Sequence, residues 1–142
     1  MAKLFAAVAA EHDGIATEPP VDIDQRAEQF ARSADASIVA AADGRIIGGI
    51  HVEVSRFGFG EFGMEVDRGW RGSGVGTALL RAAIDWSRGQ GLHKLCLEVF
   101  PHNAAGIALY AKCGFVEEGR RVKQYRRANG ELWDSIVMGL LL

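Results

Sequence analysis

The 142-residue sequence predicts one α/β (α+β) domain, residues 1–142, with four helices and about six strands. Three observations lead there. EFGMEV (61–66) alternates Phe62, Met64 and Val66 against Glu61, Gly63 and Glu65, as a strand does, and runs through glycines into a helical pattern. KLCLEVFPHNAAGIALYAKCGF (94–115) repeats the strand-to-helix change. The turn signals Asp43-Gly44 and Asn129-Gly130 each separate two extended runs.

The elements follow in order. MAKLFAAVAA carries one lysine, an apolar run and Ala-x-Ala, which imitates a leader peptide. The run is of minimum length and reads better as a helix with Leu4, Phe5, Val8 and Ala9 on one face. Residues 12–20 are a loop, and 22–33 a helix facing inward through Ile23, Ala27 and Phe30. Strands are expected at 37–42, 45–55 and 61–67. Val75, Ala78, Leu79, Ala82 and Trp86 place the next helix, which Gly89 and Gly91 stop. A strand at 94–100 precedes a helix at 104–113, capped by Asn103 and ended by Gly114. Strands at 115–126 and 132–141 close the chain.

Between the strand and the helix, Gly69, Gly72, Gly74 and Gly76 leave the backbone bare. An open helix N-terminus with close-approach glycines attracts a large anion. A Walker loop is excluded, because no lysine follows Gly74 or Gly76. A dinucleotide fingerprint is excluded by Thr77, where its third glycine belongs. The spacing that fits is Arg71-x-x-Gly74-x-Gly76.

Composition narrows the classes. A net charge of −2 gives no electrostatic reason for a nucleic-acid partner, and no stretch reaches transmembrane length. Cys96 and Cys113 are too few for a disulfide framework and read as buried thiols; four scattered histidines suggest no metal site. Arg120, Arg121, Lys123, Arg126 and Arg127 read as a solvated basic hairpin, with an acidic substrate or a 3′-phosphate as the alternative. Glu18 with Pro19-Pro20 either lines a substrate loop or fixes its shape.

Arg71-x-x-Gly74-x-Gly76 resembles the pyrophosphate signature of the GNAT superfamily of acyl-CoA N-acyltransferases. The second stretch, LEV followed by Asn103, Ala108-Leu109-Tyr110 and Gly114-Phe115, is similar to that superfamily's second acyl-CoA motif, in the amino-acid and ribosomal-protein N-acetyltransferase style. Together they cover about residues 36–142. The resemblance implies a mixed, splayed sheet with helices on both faces and acetyl-CoA wedged between the strands at 61–67 and 94–100. It assigns pantetheine to the main chain of Met64, Glu65 and Val66, and pyrophosphate to backbone N–H groups of Arg71, Gly72, Ser73, Gly74, Val75, Gly76 and Thr77. Asn103 would contact the pantetheine arm and Tyr110 the sulfur; these two lie seven residues apart and share one side of a helix. Members usually begin with a strand ahead of the first helix, whereas this chain starts in LFAAVAA, so the sheet is expected to begin at 37–42 with an exposed edge.

The chemistry implied is acetyl transfer to a primary amine in a cytoplasmic protein. The acceptor is a small molecule such as an amino acid, or else a protein N-terminus; a non-catalytic acyl-CoA-binding module is the rival class. Only about one part in a thousand of an alkyl ammonium is neutral at pH 7, so a base must take its proton. Relatives carry a glutamate at the place of Glu98, the first candidate, acting through water; Glu61 and Glu65 follow it. A backbone N–H near Met64 would stabilise the oxyanion. Tyr110 would serve the departing thiolate: full proton transfer is uphill by roughly 2 kcal/mol from unperturbed values, so a tightening hydrogen bond is enough, and transfer is favoured if the site perturbs either pKa.

Overall fold

The computed structural model describes residues 1–33 and 35–142. Its helices are α1 (Ala2–Ala9), α2 (Ile23–Ser33), α3 (Val75–Gly89) and α4 (Ala104–Lys112). Its strands are β1 (Ala36–Ala42), β2 (Arg45–Val54), β3 (Phe59–Val66), β4 (Lys94–Val99), β5 (Val116–Arg126) and β6 (Leu132–Leu141). The strands form one six-stranded sheet in the order β1-β2-β3-β4-β6-β5. The expected elements are all present; β3 starts two residues before the expected 61 and takes in Phe59 and Gly60.

The central junction positions the site. β3 and β4 run parallel and pair only at Phe59↔Lys94, Gly60↔Leu95 and Glu61↔Cys96. Beyond that each follows its outer neighbour: β2 holds β3 as far as Gly48↔Val66, and β6 holds β4 as far as Val99↔Ile136. The inner edges of residues 62–66 and 97–99 therefore part, and their inward backbone groups have no ladder partner across the gap.

Two adjacent glycines in β2 admit helices on both faces. A Cβ on Gly48 would lie 2.9 Å from Leu79 and from Val75 of α3. A Cβ on Gly49, pointing the opposite way, would collide with Met1 at the start of α1. The main core lies on the α3 side, where Ile50, Val52, Leu80 and Leu95 are fully buried. Each such side chain contributes about 2 kcal/mol of transfer free energy. A second, smaller cluster joins Ala2, Phe5 and Phe30 across α1 and α2.

Three expectations need correction. Ile23 and Ala27 are exposed, and α2 docks instead through Phe30 and the guanidinium of Arg26. The buried stripe of α3 runs through Leu79, Leu80, Ala83, Ile84 and Ser87, leaving Ala78 exposed. Apolar count misplaced that stripe, because a buried serine belongs to it and a surface alanine does not. Cys96 and Cys113 are half-buried rather than buried.

Candidate active site

The splay opens two cavities, of about 240 and 670 Å³, that share Met64, Glu65, Asn103 and Tyr110 as walls. The larger reaches the glycine loop, and the smaller lies between α1, α2 and the sheet.

Gly74 caps α3 with φ at 90° and offers no side-chain cap. The first internal bond runs from Ala78 N–H to Gly74 C=O, so the N–H groups of Val75, Gly76 and Thr77 precede the helical ladder. Gly72 also has positive φ (74°), and a Cβ on Gly72 or Gly74 would meet only open space. The loop is a bare ring of donors at the positive end of a 15-residue helix. Arg71, Gly72, Gly74, Gly76 and Thr77 line the larger cavity with Val66. Ser73 and Val75 do not: the Ser73 hydroxyl donates to Trp70 C=O at 2.5 Å, and Val75 packs toward Gly48. Arg71 acts as a strut. Its Nε donates to Val66 C=O at 3.0 Å and its two terminal nitrogens donate to Glu11 at 2.7 and 3.0 Å, while its backbone N–H donates to Arg68 C=O at 3.4 Å. These residues fit a polyphosphate at the helix end and an extended arm along β3.

Asn103 caps α4, accepting from Gly106 N–H at 3.0 Å, and Gly106 has room for nothing larger beneath that amide. Tyr110 is 8% exposed, packed edge-on against Phe62 and Phe115. Burial pushes its phenol up to about 12.

The glutamates divide. Glu98 lines the smaller cavity and is tied on both oxygens: Oε2 accepts from Ser135 Oγ at 2.7 Å and Tyr125 OH at 3.1 Å, and Oε1 meets Arg121 at 2.7 Å. The β5–β6 ladder makes this possible by inserting a bulge between Arg121 and Tyr125, anchored where Lys123 N–H donates to Asp134 at 2.8 Å. Glu65 is 3% exposed, and its Oε1 has no partner among the described residues. Burial pushes it up to about 7, against the pull of Arg26. Glu61 is exposed and borders neither cavity.

The basic hairpin is not simply solvated. Arg120 pairs with Asp134 at 2.8 Å, and Arg127 is 3% exposed. Arg127 donates to the carbonyls of Ala16 at 2.7 Å and His12 at 3.1 Å, meets Glu18 at 3.4 Å, and lies 4.4 Å from the Trp133 ring centroid. Glu18 also accepts from Ala128 N–H at 2.6 Å. Glu18 therefore fixes the shape of the 12–18 loop, and its neighbours Gly14, Ile15, Ala16 and Thr17 line the smaller cavity. Arg26, His51, Tyr125 and Ser135 are site residues that sequence reasoning missed; only Arg26, four residues before Phe30 on one helix face, left a local signal.

A splayed mixed sheet, an uncapped glycine-led helix and a buried tyrosine across the gap define an acyl-CoA-type cleft. The family model described as "Acetyltransferase (GNAT) family" matches residues 3–115, and the chain belongs to that family. It is 36% identical over 109 residues to the L-amino acid N-acetyltransferase AaaT of Escherichia coli (strain K12), a match covering 71% of this chain and 65% of the relative. It is 40% identical over 79 residues to the [Ribosomal protein bS18]-alanine N-acetyltransferase of the same organism, covering 56% and 53%. The matches thus span between half and two thirds of those relatives' lengths. Among solved structures, yncA of Salmonella typhimurium, solved with its cofactor acetyl-CoA, superposes with a TM-score of 0.85 at 23% identity, over 99% of this chain and 86% of that one, a likeness of fold. No helix among the described residues is long and apolar enough to cross a membrane.

Proposed function

We propose that this chain transfers acetyl from acetyl-CoA directly to a primary amine, a small molecule such as an amino acid, within one ternary complex. The observation that carries the reading is the splay itself, beside which an uncapped helix end, unpaired strand edges, Tyr110 and a glutamate line two cavities with shared walls. The N–H groups from Gly72 to Thr77 hold the pyrophosphate, and Met64, Glu65, Val66 and Asn103 hold the arm. Acetyl-CoA supplies an activated thioester carbonyl and a thiolate leaving group. The β3 main chain near Met64 donates to the carbonyl oxygen as charge develops there. Tyr110, held up at about 12, stays protonated. Full transfer to a thiolate of ordinary pKa costs about 5 kcal/mol, so its hydroxyl donates a hydrogen bond that tightens as sulfur becomes anionic. A cytoplasmic site of action is proposed with this reading.

Glu98 takes the amine proton through water; three donors fix its orientation and its side chain is 27% exposed to solvent. One observation favours Glu65 instead: a carboxyl near pH 7 with a free oxygen is well matched to general-base work. The test measures thiol release from acetyl-CoA against a panel of small amines and N-terminal peptides, for the parent, Glu98→Gln and Glu65→Gln, from pH 6 to about 9. Glu98→Gln is expected to slow turnover while acetyl-CoA affinity holds, with the loss shrinking at high pH as neutral amine becomes abundant. A parent-like Glu98→Gln beside a slowed Glu65→Gln assigns the base to β3.

A further inference from the structure

The smaller cavity has a wall on the side of α2, β2 and β3, to which the transfer reading gives no role for Arg26 or His51. Arg26 from α2, His51 from β2 and Glu65 from β3 meet there, and each carries a buried side-chain atom with no partner among the described residues: Nε, Nδ1 and Oε1. An unpaired buried polar atom costs about 1–3 kcal/mol. Three gathered on one wall from three elements are a poor arrangement for stability and a good one for a ligand.

Arg26 is built for one kind of ligand. Its guanidinium carbon lies 3.9 Å from the Phe5 ring centroid and 4.5 Å from that of Phe30, and those two rings meet edge-on 5.9 Å apart, so the guanidinium sits in the corner between them. Nη1 donates to Gln29 Oε1 at 2.5 Å. Glu53 and Glu65 feel its charge, yet it forms no ion pair among the described residues. A planar fork pinned in an aromatic corner, with its Nε still without a partner among the described residues, grips a carboxylate with two parallel bonds. Glu53 is exposed and does not line the cavity, and the neighbours that do line it oppose the charge only in part. Burial and Arg26 hold the His51 imidazole down at about 4, hence neutral, and Glu65 at about 7 is in part protonated at neutral pH. Phe62, Leu97 and Phe100 make the middle of the cavity apolar, and Glu98 stands on its β4 side.

We propose that Arg26 binds the carboxylate of the acceptor, so that the amine acetylated here belongs to a free amino acid or a close carboxylate analogue with an apolar side chain. The proposal deepens the transferase reading and rests on it. A peptide N-terminus has an amide where Arg26 needs an anion. A polycationic amine would meet a guanidinium instead of a counter-charge.

The experiment uses L-methionine and L-phenylalanine with the carboxamide of each. Thiol release from acetyl-CoA gives kcat and KM, and calorimetric titration of the CoA-saturated protein gives binding. The parent is expected to favour acids over carboxamides by roughly tenfold or more in kcat/KM, the worth of a charge-assisted pair. Arg26→Gln should raise KM for the acids by a similar factor, change kcat little, and leave the carboxamides nearly unmoved. Arg26→Lys should recover part of the loss, and an unchanged thermal shift with acetyl-CoA in both variants shows the cleft intact. Carboxamides or peptide N-termini used as well as acids, or equal KM losses for both, overturn the proposal and leave the transferase reading standing. Acids that bind through Arg26 without thiol release overturn the transferase reading and support the carboxylate site. Acids that neither bind nor turn over overturn the site.

Discussion

Glu65 sits where its charge is unwelcome, and that has a measurable consequence. Its carboxyl is raised to about 7 in the folded protein by burial, against an ordinary value of 4.5. The folded state therefore holds this proton more tightly than the unfolded chain does. The associated stability is fully present below pH 4.5 and is lost as pH rises through 7, an amount of about 3 kcal/mol. Chemical denaturation of the parent and Glu65→Gln at acid and alkaline ends of that window should show the variant gaining on the parent as pH rises. Parallel stability profiles would mean the carboxylate is better solvated than its surroundings suggest. Tyr110 gives the second prediction at this scale. Tyr110→Phe keeps the edge contacts with Phe62 and Phe115 but removes the donor to sulfur, so kcat should fall on the order of 10- to 100-fold with acetyl-CoA affinity nearly unchanged. Normal turnover would return Tyr110 to packing. The positions of Asn103 and Tyr110, cap and buried residue of α4, were legible because they follow from spacing along one helix. Arg26, His51 and Glu65 were not legible as a group, since three elements separated in sequence create the wall they share.

The glycine loop and α3 work as one element. Gly74 holds φ at 90° as the N-cap, a conformation a β-branched residue does not tolerate, so Gly74→Val should swing the loop and displace its N–H groups. The parent, with acetyl-CoA at about a hundred times its dissociation constant, should gain roughly 5–10 °C in thermal unfolding. Gly74→Val should lose most of that gain; an undiminished shift would place the ligand elsewhere. The two strand–helix units were readable because strand alternation, glycine spacing and helix caps are local features. The braces that hold them were not. Arg71 meets Glu11 from 60 residues away and Arg127 meets the carbonyls of Ile15 and Ala16 from 112 and 111, contacts that no periodicity encodes. The misplaced face of α3 has the same origin, because Ser87 is buried by what packs over it rather than by its own polarity.

At the scale of the whole molecule, the two outer strands of the sheet are unlike. β5 carries Arg120, Arg121, Lys123 and Arg126 and is broken by a bulge, features that discourage pairing with another chain. β1 reads ASIVAAA, has no charge, pairs only with β2 among the described strands, and leaves Val39 44% exposed. α1 packs on the sheet face, mainly over β2 and β3. The register with β2 shifts once, between Ala40 and Ala41, but an uncharged edge is a template for a second copy of itself, and antiparallel pairing of two β1 strands satisfies a two-fold axis. The chain is therefore expected to dimerise, with a light-scattering mass near twice the 15.3 kDa of one copy at micromolar concentration and above. Val39→Lys, which places a charge on that strand, should return the mass to one copy. Because β2 and β3 stand between β1 and the splay, the same variant should keep its acetyl-CoA thermal shift and its turnover. A parent chain that stays at the mass of one copy would show that the edge is left unpaired, and a variant that loses turnover together with dimerisation would show that the edge and the cleft are coupled through β2 and β3.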